Sequence, residues 1–522
     1  MPKIRAVLPL LALLTACTST ISGHGAAAST SAPPSGSHSS SSTPATPTHP
    51  AANFTDCTSL LNLGSLNFPS GRKDKLAFGC ATIAVPLDYS DPTGKKITIQ
   101  LIKVHDTDDA NPIGSLVVNP GGPGGSGVDL AVGLTAQIPE TILQHFDLLG
   151  FDPRGVGLST PISCISDSDK DVLNAAAPDV TTAAGFDQAK QVAREVAQSC
   201  NTKYGTSLAD FNTVNTARDI DQIRQAVGDA KLNYLGFSYG TELGSIYAHL
   251  FPNNVRVAVL DGAVDPLTSD IQAFADQLKG FEGAFDQFAA WCRQHSGCSS
   301  LGDPRQKVYE LVARAKASPI PSSRSGETRK ATVANVLTGV LSALYSQSQW
   351  SSLGQALISG LNGDSMGLFS LADQYNERSP SGSYTNIADA NDAINCNDSK
   401  PGPTDATIRQ TAVQWAREFP MFGEWSASSL FGCQQWQGDR TPLPKPTAPT
   451  PTKVLVIGNL HDPATPYQGA IDLARTMGNA ELLTWDGEGH TSYLQGSSCI
   501  DNYVDNYLVN AVLPPANTTC PR

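Results

Sequence analysis

The chain has 522 residues, with 48 acidic and 35 basic side chains that give a formal net charge of −13. This negative charge argues against nucleic acid as a partner, because a phosphate backbone attracts basic surfaces. The length exceeds that of one ordinary domain, so an insertion or a second domain is expected.

The first residues have the layout of a secretory signal. A short basic region precedes an apolar run at 6–14 that is too short to span a bilayer, and Leu-Thr-Ala-Cys at 14–17 resembles a bacterial lipobox. We therefore predict a signal peptide over 1–16 and a lipid attached at Cys17, which anchors an exported protein to the outer face of the cell membrane or envelope, with shedding as a further fate. An ordinary signal peptide that contains a cysteine is the alternative. No other long apolar run occurs, so membrane contact is expected only through this anchor.

The segment 17–52 is rich in Ser, Thr, Pro, Ala and Gly. It has almost no apolar surface to bury and cannot offset the entropy lost on ordering. We predict that the lipidated Cys17 is followed by a disordered stalk.

The strands and helices alternate through most of the remaining chain. Apolar and alternating segments predict strands at 97–104, 115–119, 145–151, 232–237, 255–260, 453–458 and 481–485, with helices at 217–227 and 239–250. This order predicts a mostly parallel sheet flanked by helices. The stretch 266–451 differs, because it is mostly helical in pattern and ends in a proline-rich run. We predict one catalytic domain, 53–265 and 452–522, interrupted by a helical cap.

Ten cysteines remain beyond Cys17, with no C-x-x-C pair, so neither a zinc site nor any other metal site is expected. In an oxidising compartment five disulfides are the natural expectation. Pairing neighbours closes short loops that do not cross, and predicts Cys57–Cys80, Cys164–Cys200, Cys292–Cys298, Cys396–Cys433 and Cys499–Cys520.

Ser238 occupies the centre of Gly-Phe-Ser-Tyr-Gly at 236–240, between a predicted strand and a predicted helix. This G-x-S-x-G pattern in that context is typical of the nucleophile turn of α/β-hydrolases. A serine hydroxyl needs a base and an acid, which this fold supplies in the order serine, acid, histidine. Ser238 is therefore the predicted nucleophile.

Four histidines follow Ser238, and His490 is the one that comes directly after the last predicted strand; the others are His249, His295 and His461. Asp462 follows the strand at 453–458, which is the position of the acid in this fold. Its rivals are Asp261, Asp265 and Asp486. We predict that Asp462 orients His490. Thr465 begins Thr-Pro-Tyr-Gln, which resembles a capping box, so its hydroxyl is expected to cap a helix.

The glycine-rich loop 120–127 follows a predicted strand and lacks the patterns of phosphate-binding loops. In a hydrolase this loop donates one N–H group to the oxyanion, and we predict Gly122 and Tyr239 as the donor pair. Asp152 and Arg154, after the strand at 145–151, are expected to form a buried structural pair.

Six segments in order carry a family resemblance: Pro-Gly-Gly-Pro-Gly at 120–124, Phe-Asp-Pro-Arg-Gly-Val-Gly at 151–157, Gly-Phe-Ser-Tyr-Gly at 236–240, Leu-Asp-Gly-Ala-Val-Asp-Pro at 260–266, His-Asp-Pro-Ala-Thr-Pro-Tyr at 461–467 and Gly-His at 489–490. From about Cys57 onward the chain resembles the secreted tripeptidyl-aminopeptidase-like serine peptidases of the α/β-hydrolase superfamily. The resemblance implies an α/β-hydrolase fold and peptidase activity at the cell envelope, with side activity on small esters. Pro120 stands where related prolyl aminopeptidases have His, so proline specificity is not implied.

The expected function is that of an exported serine peptidase that forms an acyl-enzyme on Ser238, either releasing N-terminal tripeptides or cutting internally. The alternative is a carboxylesterase or lipase that acts on envelope lipids, while a catalytically silent binding protein is disfavoured by the complete triad. Peptidases that take free N-termini need acidic groups for the ammonium, and Glu282, Asp286 and Glu424 in the cap are candidates. No cofactor is expected, the partner is a peptide or protein substrate, and the protein is expected to be a monomer.

Overall fold

The computed structural model describes residues 50–108 and 111–522. The predicted signal peptide, the lipid site Cys17 and nearly all of the predicted stalk lie outside the described residues. Within these two described ranges, ten strands form one sheet: β1 (Thr55–Asp56), β2 (Leu76–Pro86), β3 (Lys96–Asp106), β4 (Gly114–Asn119), β5 (Phe146–Phe151), β6 (Leu232–Phe237), β7 (Val255–Asp261), β8 (Val454–His461), β9 (Ala480–Glu488) and β10 (Thr519–Cys520).

The strand order across the sheet is β1-β2-β3-β5-β4-β6-β7-β8-β9-β10. Strands β1, β2 and β3 form the antiparallel edge, whereas β5, β4 and β6 to β10 run parallel. Consequently the carboxyl ends of β6, β7, β8 and β9 lie side by side at one edge, which is where α/β sheets bind their ligands.

Helices cover both faces of the sheet. They are α1 (Gly127–Leu134), α2 (Glu140–Leu143), α3 (Asp167–Ala175), α4 (Ala183–Tyr204), α5 (Thr213–Val227), α6 (Tyr239–Leu250), α16 (Tyr467–Met477) and α17 (Ser498–Asn510). Neighbouring strand residues serve opposite faces: Tyr234 joins the apolar cluster under α5 and α6, and Leu235 joins the cluster under α1 and α17. This alternation produces a three-layer α/β arrangement, as predicted.

Between β7 and β8 the chain forms nine helices, which we call the helical insertion: α7 (Asp270–Gln294), α8 (Pro304–Ala317), α9 (Val333–Leu344), α10 (Trp350–Leu361), α11 (Met366–Tyr375), α12 (Ile387–Asp398), α13 (Asp405–Glu418), α14 (Gly423–Ser426) and α15 (Phe431–Gln434). Most of these helices share a separate apolar core, which also takes in Val180, Phe186 and Ala189 from the segment before α5. The helical body is therefore built from two chain segments, and the sequence-based boundary includes only one of them. Within the described ranges, no helix has both the length and the apolar character needed to cross a bilayer.

Five disulfides cross-link the described part of the chain, and they are the predicted pairs: Cys57–Cys80, Cys164–Cys200, Cys292–Cys298, Cys396–Cys433 and Cys499–Cys520. Two of them lie in the helical insertion, and Cys499–Cys520 ties α17 to β10. Each bridge closes a short loop, which stabilises the segment that it encloses mainly by restricting the unfolded chain.

Candidate active site

Ser238 lies in the sharp turn between β6 and α6. Its backbone has φ 55° and ψ −127°, a conformation that side-chain-bearing residues rarely adopt. The turn is tight enough that a Cβ at Gly236 would come within 2.4 Å of Gly240 O, and one at Gly240 within 2.8 Å of Asn119 Oδ1. Both flanking glycines are therefore required by close packing, and the turn presents the Ser238 side chain at the carboxyl edge of the sheet.

His490 and Asp462 form a hydrogen-bonded pair. His490 Nδ1 lies 3.0 Å from both Asp462 Oδ1 and Oδ2. The two residues are 5 % and 3 % exposed, so solvent does little to screen their interaction. They come from the turns after β9 and β8, two neighbouring parallel strands.

The Asp462 carboxylate is fixed by further donors. Ala464 N–H and Thr465 N–H donate to Oδ1 at 2.9 and 2.8 Å, while Thr491 N–H donates to Oδ2 at 3.0 Å. With His490 these donors use both oxygens, so the carboxylate has little freedom to rotate away from the imidazole.

Thr465 does not cap a helix with its side chain, so the capping-box prediction is wrong. Pro466 is the residue that caps α16, and it makes no side-chain capping bond. Thr465 Oγ1 instead donates to Asp462 Oδ2 at 3.0 Å and lies 3.2 Å from His490 Nδ1. Because Thr465 is only three residues after Asp462, its hydroxyl reaches the carboxylate. The Asp462 carboxylate thus takes the hydroxyl that could otherwise bond the N-terminus of α16.

Ser238 and His490 both lie against the backbone at the end of β7. Ser238 N–H donates to Asp261 O at 2.9 Å. A Cβ on the next residue, Gly262, would lie 3.2 Å from His490 Cε1 and 3.1 Å from Thr465 Oγ1. The glycine at 262 therefore allows the imidazole and the nucleophile turn to approach the same short backbone segment.

Asp261, a rival for the role of the acid, supports the histidine loop. Its carboxylate accepts the N–H groups of Ser492 at 3.0 Å and Tyr493 at 2.8 Å, two and three residues after His490. Burial raises the pKa of Asp261 to about 6. Of the other rivals, Asp265 accepts from Leu267 N–H in its own turn, and Asp486 lies 3.4 Å from His461.

The other histidines after Ser238 have partners elsewhere. His249 Nδ1 lies 2.8 Å from Thr447 O, and the His295 ring stacks on Trp291 with centroids 4.1 Å apart. The rings of His249 and His295 therefore take no part in the hydrogen-bonded pair of His490 and Asp462.

The glycine-rich loop lies directly against the nucleophile turn. A Cβ at Gly121 would come within 2.5 Å of Phe237 O and 3.0 Å of Tyr239 N. Gly121 N–H is already bonded to Asn119 Oδ1 at 3.0 Å. The next residue, Gly122, is exposed with φ +109°, and Tyr239 begins α6. The two predicted oxyanion donors, Gly122 and Tyr239, therefore belong to two segments that contact each other.

Asn459 supports the site, and the sequence analysis does not identify it. This fully buried side chain donates from Nδ2 to Gly489 O at 2.6 Å, and its Oδ1 accepts from His461 N–H at 3.2 Å. A polar amide at the end of an apolar strand is the signal that could have marked it, because buried amides need partners.

Asp152 and Arg154 are both buried, as predicted. The prediction that they pair with each other is wrong. The Arg154 guanidinium binds Asp219 through two contacts of 2.7 Å, whereas Asp152 accepts from Ser126 Oγ at 2.5 Å and Leu158 N–H at 2.8 Å. Asp219 lies on α5, so the partner of Arg154 comes from a distant part of the chain. Asp152 thereby helps to hold the start of α1, next to the glycine-rich loop.

Of the three acidic candidates for substrate binding, two form ion pairs with an arginine and one is exposed to solvent. Glu282 Oε2 lies 2.6 Å from Arg305 Nη1, and its Oε1 accepts from Met421 N–H at 2.7 Å. Asp286 lies 2.9 Å from the same guanidinium, and Glu424 is exposed on α14. Glu282 and Asp286 therefore join α7 to α8, an ion pairing that sequence spacing does not reveal.

A family model described as the alpha/beta hydrolase fold matches residues 114–497. Serine protease Hip1 of Mycobacterium tuberculosis is 39% identical over 455 residues, covering 84% of this chain and 87% of that protein. Carboxylesterase B of the same species is 37% identical over 450 residues, covering 84% and 86%. Tripeptidyl aminopeptidase of Streptomyces lividans is 32% identical over 449 residues, covering 84% and 83%.

Proposed function

This chain belongs to the α/β-hydrolase fold family, and from that membership we propose that it is an exported serine peptidase whose nucleophile is Ser238. The observation that carries the proposal is the buried pair of His490 and Asp462, 3.0 Å apart, beside the strained turn that holds Ser238. A serine in such a turn, next to an oriented imidazole, is equipped for acyl transfer.

The proposed reaction begins when His490 Nε2 removes the proton of Ser238 as its oxygen attacks a carbonyl carbon. Asp462 keeps the other imidazole nitrogen protonated and stabilises the imidazolium, without taking the proton itself. The N–H groups of Gly122 and Tyr239 bind the oxyanion. His490 then protonates the leaving amine or alcohol. It next takes a proton from a water molecule that attacks the acyl carbonyl, and returns a proton to Ser238 Oγ as the carboxylic acid product leaves.

Peptide cleavage is the function that two of the relatives favour, since they are named as a serine protease and a tripeptidyl aminopeptidase. A second candidate, ester cleavage, is favoured by the similarity to carboxylesterase B. The same triad can perform both reactions, because both pass through an acyl-enzyme. We therefore propose peptidase activity with side activity on small esters.

We propose that the helical insertion acts as a cap that selects substrates. In support, Asn391 on α12 donates to Pro123 O of the glycine-rich loop at 3.0 Å. A Cβ at Gly124 would lie 2.7 Å from Ile387 O of the same helix. The start of α12 thus packs directly on the loop proposed to hold the oxyanion, where it can limit the space for a substrate.

A side-by-side assay of purified protein lacking the stalk tests this function. Tripeptidyl amides with a free N-terminus, N-blocked peptides and short acyl esters are compared by kcat/KM. Preference for the free tripeptides supports a tripeptidyl aminopeptidase, and cleavage of blocked peptides supports an endopeptidase. Turnover of esters with no cleavage of either peptide class contradicts the peptidase proposal and favours the carboxylesterase.

We propose further that the protein is lipidated at Cys17 and held as a monomer at the outer face of the cell membrane. The five disulfides support export, because such bonds persist in oxidising compartments. The lipobox-like sequence supports the anchor. In detergent phase separation, the wild type is expected in the detergent phase and Cys17→Ala in the aqueous phase; equal partitioning contradicts the anchor. Light scattering tests the monomer proposal, and a molar mass of two or more chains would contradict it.

A further inference from the structure

Tyr345, at the end of α9 in the helical insertion, lies against the loop that carries His490. The backbone N–H of His490 donates to Tyr345 O at 2.8 Å. The two rings also meet edge to face, with centroids 5.5 Å apart and planes at 82°. The imidazole is therefore contacted by Asp462 from the hydrolase body and by Tyr345 from the insertion.

Gly489 makes this approach possible. Its φ is +103°, and a Cβ there would lie 2.8 Å from Tyr345 O and 3.3 Å from Ser346 Cα. A side chain at this position would be both strained and in collision with the backbone of the insertion. The backbone of Tyr345 can therefore approach the loop this closely only because residue 489 is a glycine.

Tyr345 is itself held by other helices of the insertion. Its ring packs on Phe281 of α7, with centroids 5.3 Å apart, and on Tyr375 at the end of α11, 5.9 Å away. Burial raises the pKa of Tyr345 well above its ordinary value, so the hydroxyl stays protonated. A shift of α7 or α11 would therefore be passed to the ring beside His490.

We infer that Tyr345 is a positioning residue for His490, so that the triad adopts its working geometry only while the helical insertion is seated on the hydrolase body. This inference rests on the proposed role of His490 as the base. Misplacing a catalytic group by about 1 Å can reduce turnover by about a hundredfold. The insertion then controls the reaction step as well as access to the site.

The test compares Tyr345→Ala with Tyr345→Phe, which retains the ring. The substrate is a short acetyl ester, and the second readout is the rate of inactivation by a small fluorophosphonate. We expect Tyr345→Ala to lower kcat by about tenfold or more with little change in KM, and to slow inactivation in parallel. Tyr345→Phe is expected to stay close to the wild type, because its ring and carbonyl still contact His490.

Phe274→Ala is the matched control for removing an aromatic ring from the insertion. Phe274 lies on α7, is 37% exposed and packs on Trp415 with centroids 6.5 Å apart. We expect it to leave kcat on the ester near the wild-type value. If Tyr345→Ala matches this control in kcat, or if its whole loss lies in KM, Tyr345 is not a positioning residue.

Gly489→Ala provides a second variant, which leaves the Tyr345 side chain intact and places a methyl group against Tyr345 O, while the φ of +103° also strains the backbone next to His490. It should lower kcat in the same way, and wild-type kcat in this variant would also contradict the inference. If Tyr345→Ala does not fold by circular dichroism, Tyr345→Leu replaces it with the same expected loss. The ester and phosphonate readouts need only a serine hydrolase, so a wild type that cleaves no peptide contradicts the proposed peptidase function while leaving this comparison decisive.

Discussion

His490 Nδ1 is equidistant from the two carboxylate oxygens of Asp462, at 3.0 Å from each. This arrangement places the Nδ1 proton on the acid side of the ring and leaves Nε2 as the acceptor for a serine proton. The pair forms although 28 residues separate its members, because β8 and β9 are parallel neighbours whose carboxyl ends meet.

The first prediction concerns this acid. Asp462→Asn should lower kcat by about three to four orders of magnitude, because the amide favours the wrong imidazole tautomer and no longer stabilises the imidazolium. Asp265→Asn is the control, since the Asp265 carboxylate accepts hydrogen bonds from Leu267 N–H and Thr268 Oγ1 within its own turn. We expect it to stay within about twofold of the wild type. Similar kcat/KM values for the two variants would show that Asp462 is not the acid of the triad.

The second prediction concerns the Thr465 hydroxyl, which donates to Asp462 Oδ2 at 3.0 Å. Thr465→Val keeps the shape but removes this donor, and a hydrogen bond to a charged group contributes about 1.5–3 kcal/mol. We therefore expect kcat to fall by about ten- to a hundredfold, with rescue by Thr465→Ser. Wild-type turnover in Thr465→Val would show that the hydroxyl does not support the acid.

The third prediction separates two glycines with similar backbones. Gly121 has φ +94° and Gly228 has φ +87°, but a Cβ at Gly121 would meet Phe237 O at 2.5 Å, whereas one at Gly228 would have nothing within 4 Å. Gly228→Ala should therefore lose about 1 kcal/mol of stability and remain active. Gly121→Ala should displace the glycine-rich loop and lose most of its turnover. Equal activities would mean that the loop need not touch the nucleophile turn.

The fourth prediction concerns pH and stability. Burial, aided by repulsion from Asp398, raises the pKa of Glu242 on α6 to about 8. Since its unfolded pKa is about 4.3, the folded state binds the proton more tightly, and this contribution to stability is present below about pH 4 and lost as the pH rises to about 8.

Glu242→Gln should therefore raise the Tm at pH 8 relative to the wild type, because the amide has no charge to bury. At pH 5, where the folded carboxyl is already protonated, the gain should be smaller. Thermal unfolding of both proteins at the two pH values checks this. A gain of equal size at both values would assign the effect to something other than ionisation.

The sheet could be predicted from sequence wherever a strand is buried on both faces. The strand at 232–237 and the helix at 239–250 match β6 and α6, because a mostly apolar run and the glycine-flanked turn define both ends. Strand β2 was not predicted, since its residues alternate irregularly between buried and exposed and include Gly79. Helix α4 was missed as well, although its amphipathic face joins the core of the helical insertion.

The site was predictable only where chain order constrains it. Ser238, Asp462 and His490 follow from the fixed order of the family, and the structure brings their turns to one edge of the sheet. The contact of Tyr345 with His490 had no such signal, because it depends on how the insertion folds back onto the sheet. The ion pair between Glu282 and Arg305 could not be predicted from sequence for the same reason.

Ser238 itself offers the most direct measurement. Wild type and Ser238→Ala are incubated with a peptidyl fluorophosphonate, the adduct is located by peptide mass spectrometry, and hydrolysis of a tripeptidyl amide is followed in parallel. We predict one adduct, on Ser238 of the wild type, together with complete loss of hydrolysis. Ser238→Ala should form no adduct and lose turnover by several orders of magnitude while keeping its Tm and circular dichroism spectrum. An adduct on another residue, or a folded Ser238→Ala protein that still cleaves the amide, would contradict the mechanism.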